Sequence, residues 1–149
     1  MITIKKIIGV LAPIIGGIVV GLIISGYINY QDLVKPPLAP SKIIFPIAWT
    51  ILYILMGVSY YLFSKDNDTD DFNKIYYLQL FVNLLWPIIF FVFNMYFTAF
   101  FWLVLLIILV IIMIKELAHG KKLAAYLQIP YLLWLFYAAY LNFFIAILN

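Results

Sequence analysis

The chain has no cysteine, no arginine and a single histidine, and no charged residue falls inside any of its five long apolar runs. The missing cysteine excludes disulfides, thiolate catalysis and cysteine-based metal sites. The missing charge excludes more. Proton-coupled pumps and ion carriers work through ionisable groups inside the membrane, and the runs hold none. No paired carboxylate, Ser/His/Asp set or glycine-rich phosphate loop can be assembled among them. His119 lies beside Gly120, Lys121 and Lys122 in a polar stretch, the setting of a solvated side chain rather than a metal ligand. All nine basic residues are lysine, against six acids, for a net charge of +3. With no basic face, that balance is not a nucleic-acid binder's; in a membrane chain it reports topology.

What is present is apolar and aromatic. Hydrophobic residues make up 68 % of the 149, aromatics 19 %, and the mean hydropathy is +1.15. A bilayer core takes about 20 apolar residues per helix, so five spans leave no room for a soluble domain. The expected fold is an all-α integral membrane protein, one domain over residues 1–149, with helices at 4–28, 43–63, 75–93, 97–114 and 123–148. The first run follows Lys5 and Lys6 like a signal peptide. It is too long for one and no small-residue cleavage site follows, so it reads as a retained span.

Lysines set the orientation. Lys5, Lys6, Lys65, Lys74, Lys115, Lys121 and Lys122 belong to one side, and only Lys35 and Lys42 to the other. This places the N-terminus in the cytoplasm. Lysine without arginine, together with abundant isoleucine, points to a bacterial cytoplasmic membrane. Between the first two helices, Pro36, Pro37 and Pro40 stiffen the segment 29–42, as a lid over a cavity mouth or as a rigid connector. Asp66, Asp68 and Asp70 have calcium-loop spacing, but Asp71 and Tyr77 replace the glycine and glutamate that such a loop needs, so the stretch reads as solvated. Only 94–96 separates the third and fourth helices, a tight hairpin, and Pro130 is expected to kink the fifth. Gly17 and Gly21 form a G-x-x-x-G pair, suited to packing within the chain or to a homodimer face.

Three helices carry mixed stripes at helical spacing. They are Trp49, Tyr53, Met56 and Tyr60; Gln79, Asn83, Trp86 and Phe90; and Tyr131, Trp134, Ala138 and Asn142. Amides and indoles in hydrocarbon must find partners. Two uses are open: hydrogen-bonded glue between helices, or an aromatic pocket for a large flat molecule.

The segments Lys35-Pro36-Pro37-Leu38-Ala39-Pro40, Trp49-Thr50-Ile51-Leu52-Tyr53 with Met56-Gly57, Gln79 through Pro87 with Phe90-Phe91, and Pro130 through Trp134 with Ala138 and Leu141-Asn142 come in an order that resembles the translocator protein / tryptophan-rich sensory protein family, TspO/MBR. The resemblance covers essentially the whole chain. It implies a five-helix bundle, often dimeric, whose ligand cavity is closed by the first loop. The ligands it implies are porphyrins and haem, with other flat hydrophobic molecules; no cofactor or metal is required, and the remaining partner is membrane lipid. The implied functions are sensor or carrier, porphyrin breakdown in some bacterial members, or a structural, partner-binding bundle. Carried onto this chain, and joined to the stripes, the ligand positions are Tyr30, Trp49, Tyr53, Asn83, Trp86, Phe90, Trp134, Ala138, Leu141 and Asn142. Trp49 and Trp134 match the positions tied to porphyrin breakdown. The chain departs from the family at Leu38 and Asn29, where tryptophan is frequent, and its C-terminal end lacks the basic residue of the sterol-recognition pattern.

Overall fold

A computed structural model of the chain describes residues 3–149. It is built from α1 (Ile4–Ile24), α2 (Ile44–Asp66), α3 (Asp70–Pro87), α4 (Tyr96–Gly120), α5 (Lys122–Tyr126) and α6 (Ile129–Leu148), with a one-turn 3-10 helix at Tyr30–Asp32 and a π turn at Ile88–Val92. No strand occurs among the described residues. Five helical stretches are long and apolar enough to cross a membrane, the third running through the π turn and the fifth through α5 and α6.

Several helix ends differ from the sequence expectation. α1 stops at Ile24 rather than 28: the Ser25 hydroxyl turns back onto the Leu22 carbonyl (2.8 Å), and Gly26 follows. α2 runs past 63 to Asp66, and α3 begins at Asp70 rather than 75. Asp70 and Asp71 sit in the first turn of α3, where carboxylates favour the positive end of the helix dipole. The acidic segment is therefore half helix, with Asp66 ending α2 and Asp70 and Asp71 opening α3, joined by residues 67–69 alone. α4 continues beyond 114 to Gly120. The fifth span is not one kinked helix. It breaks at Leu127 and Gln128, and Pro130 falls in the first turn of α6, where its missing N–H costs nothing.

Proline acts instead in the third span. Pro87 ends the regular part of α3, and the next turn widens so that the Phe93 N–H reaches the Ile88 carbonyl at 3.1 Å. The hairpin to α4 closes at residues 93–95 with Asn94 in the left-handed region, φ 53°, a conformation asparagine tolerates better than most residues.

Glycine sets the tightest seam. A Cβ on Gly57 of α2 would lie 2.3 Å from the Val10 carbonyl oxygen of α1, and one on Gly9 2.1 Å from the Tyr60 ring. Gly17 serves the same seam, with Tyr53 2.5 Å from its would-be Cβ, whereas nothing lies within 4 Å of Gly21. Gly17 thus packs inside the chain.

The two ends of the bundle carry the expected groups. At one end Lys6 donates to the Ser64 carbonyl (2.6 Å), Lys121 pairs with Asp66 (3.1 Å), and the Asn67 amide donates to the Gly120 carbonyl (3.2 Å). These contacts join the N-terminus, the α2–α3 connection and the α4–α5 connection. At the other end Asn149 meets Val34 of the proline segment.

Candidate functional site

The three sequence stripes converge. Tyr53, Asn83 and Tyr131 are buried, and the Tyr53 hydroxyl donates to Asn83 Oδ1 at 2.6 Å. Asn83 Nδ2 donates to the Tyr131 oxygen (2.7 Å), whose own proton goes to Gln79 Oε1 (2.9 Å). Gln79 Nε2 then donates to the Tyr76 carbonyl at 3.0 Å. This chain ties α2, α3 and α6 together. A second link runs from Trp86 Nε1 to Asn142 Oδ1 (2.9 Å), and from Asn142 Nδ2 to the Tyr96 carbonyl (2.9 Å). Both asparagines, expected at the site, spend their amides between helices.

The rings form a continuous patch that shares Tyr53 with the amide chain. Tyr30 meets Phe45 edge-on at 5.0 Å, and Phe45 meets Trp134 at 6.0 Å. Trp134 meets Trp49 edge-on at 6.3 Å, and Trp49 stacks on Tyr53 at 5.7 Å. Beside this patch is a cavity of about 20 Å³ lined by Tyr30, Phe45, Trp86, Phe90, Phe91, Ala138, Leu141, Asn142 and Ile145. Space of that size holds little more than one water. Six of the ten expected positions line the cavity: Tyr30, Trp86, Phe90, Ala138, Leu141 and Asn142. Trp49, Tyr53, Asn83 and Trp134 stand beside it in the ring patch and the amide chain.

Sequence reasoning passed over Phe45, Phe91 and Ile145. Phe45 precedes Trp49 by four residues and Ile145 follows Leu141 by four, so the stripes on α2 and α6 already pointed to both. Phe91 stood in the family-like motif beside Phe90 but off the α3 stripe, and the π turn after Pro87 brings it to the cavity as well.

The proline segment roofs the end of the site nearest Tyr30. Tyr30 is buried and donates to the Pro40 carbonyl at 2.8 Å. Burial, with Tyr137 nearby, raises its phenol above the ordinary tyrosine value, so it stays a neutral donor. Lys35 Nζ caps the Tyr30 carbonyl (2.9 Å) and the Leu33 carbonyl (3.1 Å), and lies 4.7 Å from the Tyr30 ring centre. The segment is pinned to α6: Tyr137 donates to the Leu38 carbonyl, Tyr140 to the Pro37 carbonyl at 2.6 Å, and Asn149 bonds both polar groups of Val34. Leu38 sits in the left-handed region at φ 70°.

The TspO/MBR family profile matches residues 9–148. The chain belongs to the TspO/MBR family. Among its relatives are a tryptophan-rich protein TspO of Chlorobaculum tepidum, 36 % identical over 80 % of this chain and 78 % of that protein. The protein CrtK of Rhodobacter capsulatus is 32 % identical over 87 % of this chain and 83 % of that one. The translocator protein of Ovis aries is 33 % identical over 80 % and 73 % respectively. This TspO/MBR member is an integral, multi-pass membrane protein of the sensory and translocator class. Chemically, the lining offers flat apolar rings, few free donors and no carboxylate or histidine: it can hold an aromatic plane.

Proposed function

We propose that this protein binds porphyrin- or haem-type tetrapyrroles, and other flat hydrophobic molecules, in the aromatic region between α2, α3 and α6, and acts as a sensor or carrier in the membrane. The observation that carries the reading is the unbroken ring patch from Tyr30 through Phe45, Trp134 and Trp49 to Tyr53. Five rings that meet only through edges and faces can part and close again on a sixth. They must part, because pockets for such ligands enclose about 300–1,000 Å³, far more than the cavity of about 20 Å³. A haem would be held by stacking: the chain has no cysteine, and its one histidine, His119, lies near the opposite end of the bundle, beside Gly120, which meets Asn67.

Trp49→Ala and Trp134→Ala should each weaken protoporphyrin IX binding by about 1 kcal/mol or more, since each removes one wall of a stacked site. Titration followed by porphyrin absorbance, with circular dichroism as the folding control, measures this. Phenylalanine at either position should cost less. If both alanine variants bind like the parent, the assigned pocket is wrong; if the parent itself binds no flat ligand, a structural or partner-binding role takes its place.

A second reading has its own support. The 6.3 Å approach of Trp49 and Trp134 sets two oxidisable indoles side by side, as porphyrin breakdown by dioxygen in light would use them. Illumination of the porphyrin complex under oxygen, with the products identified, separates an enzyme from a carrier.

The bacterial cytoplasmic membrane, the inward N-terminus and a homodimer belong to the same proposal. The lysine asymmetry supports the orientation. Reporters fused after Asp68 and after Pro37 should report opposite faces, and reporters on the same face would overturn it. The family resemblance supports the dimer, with Gly17 withdrawn from its face because it packs on Tyr53.

A further inference from the structure

We infer that the ligand reaches this site sideways from the bilayer, through the seam between α2 and α6, while the proline segment stays shut as a roof. The inference rests on the proposed binding of flat ligands in the ring patch.

The two boundaries of the site are built differently. The roof is held to α6 by directed bonds: Tyr137 to the Leu38 carbonyl, Tyr140 to the Pro37 carbonyl, and Asn149 to both polar groups of Val34. Pro36, Pro37 and Pro40 have no N–H and a narrow range of φ, so the segment cannot exchange these bonds for others of its own. Beneath it, Tyr30 and Lys35 bind carbonyls within the segment itself. Lifting the roof breaks all the bonds to α6 together.

The seam has nothing comparable. Close backbone packing pairs α1 with α2 and α3, α3 with α4, α4 with α5 and α6, and α2 with α5. α2 with α6 is not among the close pairs, nor is α3 with either, but side-chain hydrogen bonds through Asn83 join α3 directly to both. In their outer halves these two helices meet through Phe45 against Trp134, Trp49 against Trp134, and Trp49 against Tyr131. Phe45, Trp49 and Trp134 are each only half-buried, one edge in the protein and the other towards lipid. Their tethering differs from that of Trp86 in the core and of Trp102, itself half-buried. Trp86 donates to Asn142 and Trp102 to the Val82 carbonyl (2.7 Å), whereas Trp134 Nε1 is covered and has no partner. A ring held by no hydrogen bond turns at the cost of ring contacts alone, and an arriving aromatic plane restores them. Lower down, Gln128 Nε2 binds Ser59 Oγ (2.8 Å) and the Leu55 carbonyl (3.2 Å), so the seam is stapled at its inner end and parts only above it.

The absence of native cysteine makes the test clean. Val34→Cys with Asn149→Cys, joined by a disulfide or a short bis-thiol reagent, locks the roof; reduction of the disulfide unlocks it. Protoporphyrin IX is delivered in vesicles, and its association is followed by tryptophan quenching. The locked protein should take up porphyrin within about threefold of the reduced rate. A fall of about tenfold or more, reversed on reduction, overturns the seam as the route. With the roof locked, Phe45→Ala should speed association by at least about threefold, because it thins the seam where the roof cannot contribute; an unchanged rate also overturns it. If the cross-link does not form, Tyr137→Phe with Tyr140→Phe loosens the roof: an unchanged association rate supports the seam, and a faster one gives the route to the roof. Failure of the unlocked parent to bind porphyrin strikes the binding proposal instead, and equilibrium titration shows that separately.

Discussion

Gly57→Ala should be among the most damaging single-methyl changes in the molecule. The added carbon would sit 2.3 Å from the Val10 carbonyl oxygen, a backbone atom of α1 that cannot swing aside as a side chain does. Two effects oppose each other. Alanine favours a helix over glycine by about 0.8–1 kcal/mol. Overpacking a close contact costs about 1–3 kcal/mol, and a backbone neighbour puts this site at the upper end. The clash wins, and α1 must move off α2, carrying with it the contacts of Gly9 with Tyr60 and Gly17 with Tyr53. Gly21→Ala is the control, because nothing lies within 4 Å of its would-be Cβ; it should stay within about 1 kcal/mol of the parent, on the side of greater stability. Denaturation of both variants in mixed micelles measures the difference. Equal stabilities would mean that α1 and α2 do not pack through Gly57.

The interior faces of α2, α3 and α6 were legible in the sequence. The three stripes follow helical periodicity, and the structure buries Tyr53, Met56, Tyr60, Gln79, Asn83, Trp86, Phe90, Tyr131, Ala138 and Asn142. Periodicity reports which face is inside, and it did so on α2, α3 and α6. It does not report where a helix ends. Apolar runs measure hydrocarbon thickness, while α2 and α4 continue beyond it through Lys65 and Asp66 and through Lys115 to Gly120. Nor does it foresee a change of helical pitch: the stripe reached Phe90, but the π turn adds Phe91, quoted only as part of the motif, to the cavity lining. The use of the asparagines was also hidden. Spacing put Asn83 and Asn142 on the interior face, but only the tertiary arrangement shows that Tyr53, Tyr131, Trp86 and Tyr96 take up their amides. Of the two uses open in the sequence, the amides show the first by bonding the helices, and the rings beside them form the patch proposed above for a ligand.

That division gives the other large expected effect. Asn83→Leu preserves volume and removes the centre of the chain linking α2, α3 and α6. The Tyr53 hydroxyl loses its acceptor, and the Tyr131 oxygen loses a donor but keeps its own bond to Gln79. Orphaning a buried polar group costs about 1–3 kcal/mol in water-soluble proteins, whereas hydrogen bonds between membrane helices average about 0.6 kcal/mol and reach about 1.7. With one group fully orphaned and another half so, the expected loss is about 2 kcal/mol, a little above the largest value for a single bond between membrane helices because two bonds are lost. Tyr53→Phe in the Asn83→Leu background removes the orphan hydroxyl, so the double variant should be more stable than the sum of the single losses by about 1 kcal/mol. Additive losses in micelle unfolding would mean that Tyr53 and Asn83 are not coupled. The same substitution reaches the ligand site without touching it. Trp49 stacks on Tyr53 at 5.7 Å, and the bond from Tyr53 to Asn83 at 2.6 Å holds that ring in place. Once it is free, Tyr53 no longer presents a set face to Trp49, so Asn83→Leu should also weaken protoporphyrin IX binding, and Asn83→Gln, which keeps an amide within reach, should weaken it less. Binding unchanged in Asn83→Leu, despite the lost stability, would show that the ring patch holds its shape without the amide chain beneath it.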